Sequence, residues 1–285
     1  NFLFLKKSQT IYMYKQHNYY NNISETMKKI GLQLLMTLLS LPLLAQEERP
    51  ELITDRPDAT EAPSVVPKGA LQIETGALFT SFEEDVLKTQ TLTYNTTLLR
   101  FGVLDNLELR LGWNVVEQSN KVTDVAPAVI ENGLSPLLLG VKVNIAQEKG
   151  WLPTIGLIGH LFLPFTASEY FKPQYTSVDF RFAFDHTLSE SSSIAYNLGA
   201  QWEADSPGAA YIYTLAYGYS ITDSFGFYAE LYGDLPEKNN SNHYWDAGIT
   251  YLILPNLQLD ATIGTSITKG QDLLLSGGFS YRIFK

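Results

Sequence analysis

The sequence predicts an all-β protein: a transmembrane, antiparallel, up-and-down β-barrel of about 12 strands with a short N-terminal periplasmic or plug segment. Three observations predict it. From Ala70 to Phe284, segments of about ten to thirteen residues alternate apolar with polar or small side chains, as in Leu107, Leu109, Leu111, Trp113 and Val115 against Glu108, Arg110, Gly112 and Asn114. A period of two is the period of a strand. These segments exceed the five or six residues of an ordinary strand and match the nine to eleven that a tilted membrane-spanning strand needs. Very short turns and longer polar loops take turns along the chain, the asymmetry of outer-membrane barrels.

The expected strands are 70–82, 89–103, 107–117, 134–146, 152–163, 176–188, 193–204, 210–221, 225–235, 243–254, 257–267 and 273–284. Tight connections fall at 104–106, 146–151, 189–192, 222–224 and 255–256, and longer ones at 83–88, 118–133, 164–175, 205–209, 236–242 and 268–272. An even strand number puts both barrel termini in the periplasm and lets the first strand pair with the last. Closure is needed because unpaired backbone groups in hydrocarbon cost several kcal/mol each. A soluble β-sandwich or propeller also alternates, but its strands are shorter and its turns lack this regular contrast in length.

What precedes the barrel divides into three. Residues 1–26 are rich in Asn, Tyr, Lys and Ile, and are expected to be a non-native upstream extension, with Met27 the start. Residues 27–45 resemble a signal peptide: Lys28 and Lys29, an apolar run from Ile30 to Leu44, and Ala45 at the cut. Residues 46–69 form the N-terminal periplasmic or plug segment, and 70–285 the barrel. The expected location is the outer membrane, reached by export.

From Gln46 onward the chain holds 29 acidic and 15 basic residues, because five of the 20 Lys and Arg and one of the 30 Asp and Glu come earlier. That acidity argues against a nucleic-acid partner, which needs a basic face. The chain has no Cys, which excludes disulfides, zinc–thiolate sites and thiol catalysis. Past residue 45 no apolar run is long enough for a membrane helix. No phosphate-binding glycine loop or calcium-loop spacing occurs, and no cofactor or metal is expected.

Alternation assigns the faces. Leu137, Leu139, Val141, Val143 and Ile145 share one face of the fourth expected strand, and Val178, Phe180, Phe182 and Phe184 one face of the sixth. Tyr211, Tyr213, Leu215, Tyr217 and Tyr219, then Phe279, Tyr281 and Ile283, continue that lipid-facing surface. Trp113, Trp151, Trp202 and Trp245 are expected near strand ends, in the interfacial girdles. The opposite face carries charge: Glu74, Arg100, Glu108, Arg110, Lys142, Asp179, Arg181, Asp185, Glu203, Glu230, Asp234, Asp246, Asp260 and Arg282. An Arg or Lys turned to lipid at the midplane costs about 2–4 kcal/mol, so the charges belong inside.

The motifs Thr54-Asp55-Arg56-Pro57-Asp58 and Pro67-Lys68-Gly69 with Gln72, Glu74 and Gly76 resemble the opening of an outer-membrane family labelled for a meta-pathway of phenol degradation, often simply "transporter". Further matches are Leu99-Arg100-Phe101-Gly102, Leu107 to Arg110, Gly133 to Ser135, Gly140 to Lys142, Tyr228 to Tyr232, Asp246 to Gly248, Pro255 to Asp260 and Gly278 to Arg282. The resemblance runs from Leu52 to the end. The chain departs from the pattern at Ile283-Phe284-Lys285, where the aromatic used by the barrel-assembly machinery is penultimate. The resemblance implies passive passage of a small, hydrophobic or aromatic solute. Expected partners are outer-membrane lipid, that solute and the barrel-assembly machinery.

The expected solute path is lined by Arg100, Glu108, Arg110, Lys142, Tyr228, Glu230, Tyr232, Asp246, Asp260 and Arg282. Asp55, Arg56, Pro57 and Asp58 would form a plug or gate, with Arg56 reaching a carboxylate such as Glu108 or Glu230 through a bidentate pair. A segment that locks the barrel and never moves is the other reading. The inward charges either select ions or fill the lumen with ion pairs, since twelve strands lie between a filled small barrel and an open porin. A closed structural or surface-binding barrel, with loops 118–133 and 164–175 meeting a partner, is the alternative to a channel. A hydrolase is the more distant one: His160 faces the lumen, but no nucleophile motif or oxyanion-hole pattern accompanies it or His186 and His243, so no catalytic residue is expected.

Overall fold

The computed structural model describes residues 50–122, 127–203, 205, 208–268 and 270–284. The upstream extension, the signal peptide, the first residues of the N-terminal segment and Lys285 lie outside the described residues.

Among the described residues thirteen strands make one closed antiparallel sheet. They are β1 (Leu71–Glu84), β2 (Leu87–Leu104), β3 (Leu107–Val122), β4 (Val129–Leu134), β5 (Leu137–Ala146), β6 (Thr154–Leu163), β7 (Ser177–Ser189), β8 (Ser192–Trp202), β9 (Ala210–Ser220), β10 (Phe225–Pro236), β11 (Asn242–Leu254), β12 (Leu257–Ser266) and β13 (Gln271–Ile283). β1 pairs with β13 from Leu71↔Ile283 to Phe82↔Gln271, which removes both sheet edges.

Twelve of the strands coincide with expected ones; β4 is additional. The segment 118–133, expected as a loop, instead continues β3 to Val122 and returns along it, with Val115↔Leu134 to Asn120↔Val129 in register. Residues 123–126 at its tip lie outside the described residues. On the same edge of β3, β5 takes over from Leu107↔Val143 to Gly112↔Leu138. β4 and β5 therefore act as one wall strand broken at Ser135-Pro136. Proline has no N–H for the ladder, and Ser135 bridges the gap: its N–H reaches Asn114 O at 3.0 Å, and its hydroxyl accepts from Asn114 N at 3.2 Å.

The free edge of β4 is covered by the connection from β6 to β7, which forms two 3-10 turns, Pro164–Thr166 and Glu169–Phe171. Leu134 N donates to Ser168 Oγ (2.8 Å), Ser168 N to Leu134 O (3.0 Å), and Leu137 N to Thr166 Oγ1 (2.8 Å). The expected loop 83–88 is likewise shorter: β1 and β2 are joined by Asp85 and Val86 alone, with Asp85 at φ 53°.

The tight turns other than Asp85-Val86 gather at one end, which is periplasmic by the rule that short turns face that side. The outer end is uneven: β2 and β3 run 18 and 16 residues, longer than hydrocarbon requires, whereas β5 to β13 run 10 to 13. Leu139, Val141, Phe180, Phe182, Leu215, Tyr217 and Phe279 are exposed on the outer face, as expected of a lipid-facing belt. Trp151 and Trp202 sit at strand ends, but Trp113 lies well inside β3, because that strand continues beyond its expected end. Glu203, expected to point inward, follows β8 and is exposed.

Candidate functional site

The lumen is the only place in such a fold where buried charge can gather, and the N-terminal segment lies inside it. Each wall strand, with β4 and β5 counted as one, starts or ends at the periplasmic rim, so inward residues a few positions from the tight turns form a belt. The belt includes Glu74 on β1, Arg100 on β2, Glu108 and Arg110 on β3, Lys142 on β5, Asp260 on β12 and Arg282 on β13, all buried. Residues 50–69 cross this belt and are bound by it.

Asp55 is the centre. Its carboxylate accepts from Lys142 Nζ at 2.8 and 2.7 Å and from Arg110 Nη2 at 2.9 Å, lies 3.2 Å from Arg100 Nη1, and takes the N–H of Ala62 at 3.0 Å. Its own N–H donates to both oxygens of Glu74. Arg100 forms a fork on Glu108 at 2.9 and 3.0 Å and also donates to Glu74 at 2.8 Å. Three cations (Arg100, Arg110 and Lys142) and four carboxylates (Asp55, Glu61, Glu74 and Glu108) thus pair with one another where either set alone would be expelled.

Arg56 is bound differently from expectation. Its fork closes on Asp260, with Nε to Oδ2 at 3.2 Å and Nη2 to Oδ1 at 2.8 Å, rather than on Glu108 or Glu230. Thr96 Oγ1 and Ser276 Oγ accept its remaining protons at 2.7 and 3.1 Å. The reason is local. Gly76 and Gly278 face each other across β1 and β13, and a Cβ on either would collide with the guanidinium. Glu108 is already occupied by Arg100 and by Val66 N at 2.7 Å. Gly102 admits the segment's backbone in the same way, since a Cβ there would overlap the carbonyl oxygens of Val66 and Pro67.

The rest of the segment is tied around the wall. Arg282 donates to the carbonyls of Pro50 and Glu51, and Gln72 to that of Ile53. Ala59 N and Thr60 Oγ1 donate to Glu230, Glu61 N and O pair with the amide of Asn197, and Lys142 reaches Ala62 O at 2.8 Å. Glu61 meets Arg110 closely and Arg181 at 3.6 Å. Burial pushes the Glu61 carboxyl up, but these guanidiniums outweigh it and hold the group well below the usual carboxylate range. Asp58 is the opposite case: burial, then the neighbouring Glu230, raise it well above that range.

Of the ten residues expected to line the path, six (Arg100, Glu108, Arg110, Lys142, Asp260 and Arg282) bind the segment or its anchors. Tyr228, Tyr232 and Asp246 face the lumen beside it, and Glu230 does both. Asp55, Arg56 and Asp58 are brought together with these groups around the short turn at Pro57. Sequence reasoning missed Gln72, Glu74, Glu61, Thr60, Thr96, Asn197 and Ser276 as anchors. Gln72 and Glu74 were visible in the Pro-Lys-Gly motif; the other five carry no sequence mark. His160 bonds Asp179 through Nδ1 at 2.9 Å, and its Nε2 has no hydrogen-bond partner among the described residues.

The fit of known proteins follows this geometry. The family model described as "Putative MetA-pathway of phenol degradation" matches residues 54–283. No curated protein matches the sequence. Among solved structures, the COG4313 outer membrane channel from Pseudomonas putida F1 is similar, at 14% identity over 77% of this chain and 97% of that one, with a TM-score of 0.64. The translocator domain of autotransporter NalP from Neisseria meningitidis superposes at a TM-score of 0.51, with 9% identity over 75% and 88% of the two chains. The toluene transporter TbuX from Ralstonia pickettii gives 0.44, with 8% identity over 76% and 90%. For the first two, the likeness at these identities is one of fold, a closed antiparallel β-barrel of the outer-membrane type.

Proposed function

This chain belongs to the family described as "Putative MetA-pathway of phenol degradation", and from that premise we propose that it is a passive outer-membrane channel for a small aromatic or apolar solute, in which the N-terminal segment is a fixed lining of the lumen. The observation that carries this reading is the one-sidedness of the segment's ion pairs, its hold on β8, β9 and β10 being hydrogen bonds to Asn197, Thr214 and Glu230. The segment's ion pairs lie against β1, β2, β3, β5, β7 and β12. Along β8 to β11 two clefts remain. One, about 310 Å³, opens outward between Gln201, Glu203, Asp234, Asn242 and Tyr244. The other, about 360 Å³, opens to the periplasm between Asp58, Ser193, Gly218, Tyr228 and Thr250.

The family description supports an aromatic solute, and the inward Tyr228, Tyr232 and Tyr244 offer rings to it. The chain has no nucleotide-binding motif, so movement follows the gradient. Export by the segment 27–45 and insertion by the barrel-assembly machinery complete the proposal. The His160–Asp179 pair has no hydroxyl nucleophile bonded to it among the described residues, so no reaction is assigned to it. A closed structural barrel is the second reading, favoured by the number of strands that the segment ties together.

Planar-bilayer recording with purified, folded protein separates the two. The channel reading expects discrete conductance steps and liposome swelling by small solutes. Folded protein that gives neither would leave the closed barrel standing.

A further inference from the structure

Another cleft, of about 510 Å³, lies at the outer ends of β6, β7 and β8. Pro136, Phe162, Pro173 and Trp202 give it apolar walls. Among them lie Asp179 and Gln201, which stand opposite each other on β7 and β8. Gln201 and Glu203 also line the 310 Å³ outer cleft of the proposed path, so the two clefts adjoin. An apolar cleft with a few convergent polar groups is the usual form of a small-molecule site.

The polar chemistry of the cleft centres on Asp179, which is 8% exposed. Its Oδ1 meets His160 Nδ1 at 2.9 Å, and its Oδ2 meets Arg181 Nη2 at 3.4 Å. A carboxylate offers about four acceptor sites, so these two donors, one of them distant, leave room for another. His160 is held in place: its ring lies over Gly140, where a Cβ would collide with it, and stands edge-on to Phe162 at 6.3 Å. With its Nδ1 proton given to Asp179, its Nε2 is an acceptor too, buried and without a hydrogen-bond partner among the described residues. The floor of the cleft therefore has acceptors to spare and lacks donors. Charge decides which donor fits. Arg181 already stands against Asp179, so an arriving cation would meet its repulsion and give up hydration as well. The exposed Glu203 and Asp205 at the mouth accept from Gln201 Nε2 and Gln174 N. A neutral hydroxyl donates one hydrogen bond at neither cost, and a ring attached to it suits the face or edge of Phe162.

We propose that this cleft binds a small ring compound carrying a hydroxyl group, with the ring against Phe162 and the hydroxyl donating to Asp179. The proposal rests on the channel reading above and names the class of solute taken up at the entrance of that path. A site built to bond a hydroxyl discriminates against the analogue that lacks one, because its buried acceptor is then left unpaired.

Photolabelling of the purified, folded protein with 4-(hydroxymethyl)benzophenone tests it, the cross-linked residues being located by mass spectrometry. The expected labels fall around Phe162 and Trp202. Benzyl alcohol should suppress them at a several-fold lower concentration than toluene or benzylammonium. Asp179→Asn should bring benzyl alcohol and toluene towards equal potency, with toluene still competing. Phe162→Ala, which breaks no ion pair, should lower the labelling itself and covers the case in which Asp179→Asn does not assemble. Labels confined to other parts of the barrel would overturn the proposal. So would toluene or benzylammonium competing as well as the alcohol in the unaltered protein, or an undiminished preference in folded Asp179→Asn. Labelling does not depend on conduction, so the planar-bilayer recording decides the channel reading separately.

Discussion

Asp55 binds Lys142 and Arg110 and lies against Arg100, with its side chain 3% exposed. Removing one partner of a buried ion pair costs about 3–5 kcal/mol, because the other charge is left unpaired. In Asp55→Ala three buried cations lose their shared anion at once. The twelve-strand ladder does not pass through Asp55, so the expected result is a folded barrel whose residues 50–66 become sensitive to protease. Two neighbours predict how docking responds to pH. Glu61 is depressed in the folded protein, so its contribution is present above the ordinary carboxylate pKa and is lost as pH falls through the lower, folded value. Asp58 is raised, so its contribution is full below the ordinary value and fades as pH rises through the folded one. Protease protection of the segment should therefore decline at both extremes, and Asp58→Asn should abolish the alkaline decline only. At this scale the residue types in the site were legible and their partners were not. Alternation placed Glu108 and Asp260 alike on the inner face. It cannot show that Arg100, in register with Arg110 and just across the tight turn, takes Glu108 and leaves Asp260 for Arg56.

The strands were legible wherever one face meets lipid. Past the hydrocarbon both faces are wet, and the pattern stops marking the strand. Gln118, Ser119, Asn120 and Lys121 read as loop, yet they continue β3 and pair with β2, the first three also with β4. The same holds for the β1–β2 hairpin, where Glu83 and Glu84 pair with Lys88 and Leu87. The break at Ser135-Pro136 is the feature of this wall most open to test. There the loop 164–175 substitutes for a neighbouring strand, and Ser168 supplies both an acceptor and a donor to Leu134. Ser168→Ala removes the hydroxyl acceptor, a loss of about 1 kcal/mol. Amide exchange at Leu134 and proteolysis within 164–175 should both accelerate, with the heat-modifiable mobility of the barrel unchanged. Gly102→Val is the counterpart at the periplasmic rim: the side chain would enter the space of Val66 and Pro67. It should expose the segment to protease as Asp55→Ala does, without breaking any ion pair.

For the whole molecule, strand length and the contrast of turns specified a closed barrel, and β13 pairing with β1 closes it. What the sequence could not show is how the lumen is filled, because that depends on a segment folding back across strands up to about two hundred residues away, as Arg56 does to Asp260. The central claim is that solute passes along the β8–β11 side while the N-terminal segment stays in place. Thr60 on the segment and Thr214 on β9 bring their hydroxyl oxygens to 2.7 Å, and the chain has no cysteine of its own. The double substitution Thr60→Cys and Thr214→Cys allows the segment to be locked by oxidation and released by reductant. The account predicts the same single-channel conductance and the same solute flux in both states. Conductance that vanishes on oxidation and returns on reduction would contradict it and make the segment a moving gate.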